Sequence, residues 1–198
     1  MINIRIKTIL FFLFISALTF AQSRTNLEML NKLVDSSAYA VSSKILDLNK
    51  EYNVEYEAVA EYSALNKRVK NSFVRNGIAV NFDNTINKIS YSILLASVTY
   101  SDLFKDGLFG EYLLERKFIL SGEYSIEKSS SVLSADTFYY TVTDTIPYNS
   151  LNLVENNSLP FTKSNVPPEP LFPSLLEPIV AVTAVVVTVV LFFTVRSN

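Results

Sequence analysis

The chain of 198 residues contains no histidine and no cysteine. Without them there is no Ser-His-Asp or Cys-His nucleophilic site, and the usual zinc and copper sites lose their ligands. No disulfide supports the fold, so the core must carry stability unaided. Four glycines, Gly77, Gly107, Gly110 and Gly122, are too few and too scattered for a P-loop or a dinucleotide fingerprint. Proline is missing before Pro147, and all seven prolines fall at or after it. Any chemistry would rest on carboxylates, Tyr, Ser and Lys. No catalytic residue, cofactor or metal is expected.

Two hydrophobic segments flank the chain. Arg5 and Lys7 precede the apolar run Ile9–Phe20, and Thr19 and Ala21 supply small residues at its exit. That is the pattern of a secretory signal, with cleavage expected before Gln22 and residues 1–21 lost. About 12 apolar residues is short against the roughly 20 that span a bilayer. The second run, Ile179 to Val195, has no charge and is followed by Arg196. It predicts a transmembrane helix over 175–195, with 196–198 as a cytoplasmic tail and Glu177 outside.

Between these segments lies enough chain for one domain, expected over 22–146. Leaving out Arg5, Lys7, Arg196 and Glu177, it has 14 Lys and Arg against 18 Asp and Glu. A net of −4 argues against nucleic acid as a partner. Residues 147–174 lack periodicity and include Val166-Pro-Pro-Glu-Pro170. They read as an extended spacer, with docking to an aromatic groove as a less simple alternative.

Periodicity predicts the elements. Leu27, Leu30, Val34, Ser37, Val41, Ile45 and Leu48 mark a helix over 26–48, capped by Thr25 or Asn26. Alternation over 52–60 predicts a strand. Leu65, Val69 and Phe73 mark a second helix over 63–76, stopped by Asn76-Gly77. Strands follow at 78–82, 89–100, 112–126 and 133–146. Short turns between the later ones imply antiparallel pairing. The expected fold is α+β, with two amphipathic helices packed on one face of a mostly antiparallel sheet of about five strands, plus one C-terminal transmembrane helix.

The loop 101–111 is the best local candidate for a site. It joins two long strands yet carries Leu103, Phe104, Leu108 and Phe109. Apolar residues at a hairpin tip suit a partner-binding surface, unless they fold back onto a helix end. Asp102, Asp106 and Glu111 lack the spacing of an EF-hand, and turn chemistry accounts for Asp106-Gly107. Lys67, Arg68, Lys70 and Arg75 cluster on the second helix as a solvated face or an acidic partner's contact. Tyrosines at 52, 56, 62, 91, 112, 124, 139 and 140 suit strand faces, and could also line a glycan surface. Asn156-Asn157-Ser158 is a formal glycosylation sequon. Glu57 and Glu61 fall together on the polar face of the first strand.

The sequence therefore points to a non-enzymatic envelope protein. Its extracytoplasmic domain would bind or position a protein partner beside a bacterial inner membrane, facing the periplasm. A lipid- or glycan-binding domain is the second reading, and a carboxylate-based hydrolase the third.

Overall fold

The computed structural model describes residues 23–45, 51–81, 86–107, 110–129, 131–168 and 173–195. The expected signal at 1–21 lies outside them.

Helix α1 spans Asn26–Ser42. Thr25 Oγ1 accepts from the Glu28 N–H at 3.2 Å, and the Glu28 carboxylate accepts from the Thr25 N–H at 2.9 Å. This capping box satisfies two otherwise orphaned donors. The helix ends earlier than periodicity predicts. The Ser42 and Ser43 hydroxyls donate back to the carbonyls of Ala38 and Ala40, occupying the last turn. Ile45 is still buried, but in the turn that follows.

Strand β1 (Glu51–Ala58) leads through a 3-10 turn, Ala60–Leu65, into α2 (Asn66–Arg75). Gly77, at φ 85°, ends α2, and the Ile78 N–H reaches back to the Phe73 carbonyl at 3.1 Å. Phe73 and Ile78 are both buried at this stop. Strand β2 (Ala79–Val80) follows. The long strands are β3 (Asn87–Lys105), β4 (Tyr112–Lys128) and β5 (Ser131–Pro147).

The strand order is β2-β1-β3-β4-β5. The hairpins β3–β4 and β4–β5 are antiparallel, but β1 is parallel to both β2 and β3. The sheet is therefore mixed, which corrects the mostly antiparallel expectation. Tight turns dictate antiparallel pairing only for the last three strands. The α2 crossover returns the chain to run alongside β1, as parallel pairing requires. Register shifts on β3 at Ile93/Leu95 and Tyr100/Leu103 bend the strand, and the sheet curls into a half-barrel.

One face of the sheet packs against α1 and α2. Leu30, Val34, Val69 and Phe73 meet Val54, Ile89, Tyr91, Phe118 and Leu120 in one core. Residues 148–162 then wrap back. A 3-10 turn (Tyr148–Ser150), helix α3 (Leu151–Val154) and a second 3-10 turn (Pro160–Thr162) bury Val154, Phe161 and Thr162. The Phe161 ring meets Tyr62 edge-on at 5.6 Å.

The final helix, α4, spans Pro173–Val195. Among the described residues no helix is long and apolar enough to cross a membrane. This overturns the expected transmembrane helix over 175–195, and with it the single membrane span. Pro173, Glu177 and Pro178 occupy its first turns. The apolar stretch beyond, to residue 194, rises only about 25 Å at 1.5 Å per residue, against a hydrocarbon core of about 30 Å.

Candidate functional site

The β3–β4 hairpin tip is more regular than a loop. Leu103, Phe104 and Lys105 are strand residues paired with Leu114, Leu113 and Tyr112. The chain turns at Asp106-Gly107, where Gly107 has φ 76° and the Asp106 N–H donates to the Glu111 carbonyl at 3.1 Å. Leu108 and Phe109 lie outside the described residues. The register shift between Tyr100 and Leu103 decides what the tip displays. Strict alternation from buried Tyr100 would send Phe104 into the core. The extra residue reverses the phase, so that Leu103 packs against the core and Phe104 is left 44% exposed.

The other sequence-derived candidates resolve differently. Among the described residues no group of three or more acids could hold a metal ion. Arg68 forms a two-pronged pair with Asp35 of α1, its Nε donating at 2.9 Å, and Arg75 Nη2 reaches the same carboxylate at 2.6 Å. Two of the four α2 cations therefore clamp the helices together. Glu61 sits on the 3-10 turn, away from Glu57 on β1. Glu57 instead faces Glu123 across Ser92, over a polar trough of about 420 Å³ floored by Ser90, Ser125 and Ala135.

Tyr52, Tyr62, Tyr91 and Tyr124 are buried, whereas Tyr139 is 63% exposed. Tyr124, Phe138 and Tyr140 line a cleft of about 300 Å³ between α1 and β5, opposite Ser37, Ala40 and Val41. Lys44 closes one end, bonded to the Tyr124 hydroxyl and to Asp136 at 3.3 Å. The Tyr124 and Asp136 contacts push the Lys44 ammonium above its ordinary value. The Thr137 N–H and then Lys44 hold the Asp136 carboxyl below its own.

The most developed polar cluster went unpredicted. Arg116 is completely buried, and its Nε and Nη2 donate to Asp144 at 2.8 and 2.6 Å. Its Nη1 donates to the Arg24 carbonyl at 3.0 Å and to Asn26 Oδ1 at 2.6 Å. Asn26 Nδ2 donates onward to the Tyr100 hydroxyl and the Thr162 carbonyl, both at 2.8 Å. Tyr100 in turn donates to Glu155 at 2.9 Å. The signal was present in the alternation of β4. Leu114 and Phe118 face inward, so Arg116 between them must as well. A buried guanidinium demands a partner, and Asp144 stands directly opposite in the register.

No protein-family model matches the chain, and no curated protein matches it. Among solved structures it is similar to a minor lipoprotein from Acinetobacter baumannii, at 17% identity over 55% of this chain and 72% of that one, with a TM-score of 0.33. A likeness of that degree carries no argument about fold or function.

Proposed function

We propose that this chain is an exported accessory protein of the bacterial cell envelope, whose extracytoplasmic domain binds or positions a protein partner and catalyses no reaction. The observation that carries this reading is Phe104. A large aromatic ring is turned out of the sheet at a hairpin tip, by a register shift, while its neighbour Leu103 is kept inside. A side chain that alternation would have buried becomes surface, which suits a contact rather than a core. The basic and apolar pattern of residues 1–21 supports export.

The test is crosslinking in native envelopes with wild-type protein and with Phe104→Ser. The wild type should yield a partner adduct that the variant loses. The melting temperature should stay nearly unchanged, since exposed substitutions cost within about 0.5 kcal/mol. An adduct recovered equally from both proteins, or a large drop in melting temperature, would count against the reading.

A further inference from the structure

The two edges of the sheet are treated differently. At one edge β2 has two residues and offers almost no backbone to pair with. At the other, β5 runs 17 residues, and among the described residues only β4 pairs with it. Most of its side chains are exposed, including Val132, Leu133 and Tyr139.

Soluble proteins blunt such edges with Lys, Pro, bulges or a covering segment. In β5 the bulge and the proline sit at the ends only, and between them the strand has two inward acids, one of which, Asp136, accepts from the Thr137 N–H at 2.8 Å. A register shift lies near Val132, and Pro147 closes the strand. Between them there is no Lys, Arg or Pro. Its two acids are both turned to cations of their own chain, Asp136 to Lys44 and Asp144 to Arg116. The edge therefore carries no free charge to repel another strand.

We infer that β5 is a self-association edge, pairing antiparallel with β5 of a second copy across a twofold axis at Tyr139. The sequence is self-complementary in that register. Ser131 meets Pro147, so the strands align end to end. On the outer face Tyr139 meets Tyr139, and Thr137 meets Thr141. On the inner face Phe138 meets Tyr140. Aromatic pairs and Thr–Thr pairs are the favourable cross-strand neighbours. Asp136 falls opposite Val142, and Asp144 opposite Ser134, so no acid opposes an acid. Moving the axis one residue, to Tyr140, would set Asp136 against Asp144 twice. Because the β2 edge is blunted, the pairing closes at two copies rather than growing into a filament.

The absence of cysteine makes the test direct. Sedimentation of the full chain in mild detergent should give twice its mass of 22.3 kDa. Tyr139→Cys should form a disulfide-linked pair on mild oxidation, because directly opposed residues lie about 4.5–5.5 Å apart at Cα. Thr141→Cys should not, since its own copy lies four residues away along the partner strand. Tyr139→Lys sets two like charges face to face on an exposed position and should return the protein to single chains. A single-chain mass for the wild type overturns the inference, whatever else covers the edge. Equal crosslinking at 139 and 141 also overturns it, as does a doubled mass that Tyr139→Lys leaves intact. Phe104→Ser should leave the doubled mass unchanged, which separates this edge from the hairpin tip.

Discussion

Arg116 is the one charged side chain among the described residues that is fully buried. It is stable there because every nitrogen has an acceptor and its Cζ lies 5.2 Å from the centre of the Phe118 ring. The cluster joins parts distant in sequence: the entry to α1 through Arg24 and Asn26, the sheet through Asp144, and the wrap-back segment through Thr162. Removing one partner of such a pair strands the other charge in a low-dielectric interior. Asp144→Ala should cost about 3 kcal/mol in urea unfolding. The double change Arg116→Met with Asp144→Leu should recover much of that loss, because it removes the buried charge as well. A double variant no more stable than Asp144→Ala would show that the hydrogen bonds to Arg24 and Asn26, not charge pairing, hold this corner.

At the scale of elements, β4 is held from both sides by close contacts. Gly122 lies opposite Phe138 in the register, and the Phe138 ring stacks on Tyr91 at 5.0 Å and 21°. A methyl group at Gly122 would stand 2.0 Å from the Ser92 carbonyl oxygen and 2.5 Å from the Phe138 ring. The ring has some freedom to turn, but the carbonyl belongs to the neighbouring strand. Gly122→Ala must therefore part β3 from β4 locally and should cost about 2–3 kcal/mol, read from the urea midpoint. A loss below about 0.5 kcal/mol would mean the strands adjust freely there. This position shows how far the sequence could be read. The alternation of β4 was plain, and Leu114, Phe118, Leu120, Tyr124 and Ile126, the apolar residues on one of its faces, are the buried ones. What Gly122 does was not, because its role depends on a ring from β5 and a carbonyl from β3. Likewise α1 and α2 were legible from their apolar stripes, α1 at its start from the cap and α2 at its end from Asn76-Gly77, whereas α1 stops at Ser42, short of the 48 its stripe predicts. The register shift that turns Phe104 outward was not, because a bulge leaves no mark in composition and reverses the pattern used to find faces. The parallel pairing of β1 was equally hidden, since alternation is the same in either direction.

Taken whole, the molecule is a curved sheet with three tyrosine hydroxyls bonded to the segments that cover it. Tyr91 bonds to Ser37, Tyr56 donates to the Tyr62 carbonyl at 2.7 Å, and Tyr100 joins the Arg116 cluster. Burial is the main cause that holds all three phenols well above their ordinary 10.0. The sign of the effect on stability follows from linkage. In the folded chain these phenols stay protonated to higher pH than in the unfolded chain. Their contribution is therefore complete below pH 10 and is lost as pH rises above it, because only the unfolded form releases those protons readily. The chain has 11 tyrosines, and these three are the ones whose phenols burial raises. Tyr56, Tyr91 and Tyr100 should ionise together, in step with loss of the circular dichroism of the sheet. Parallel titrations of tyrosinate absorbance and far-ultraviolet dichroism would show whether the two changes coincide. Full ionisation of all 11 with the dichroism unchanged would mean that the inner face opens to hydroxide without unfolding. The same experiment on Asp144→Ala should move the dichroism loss to lower pH, because Tyr100 shares the cluster that the substitution loosens.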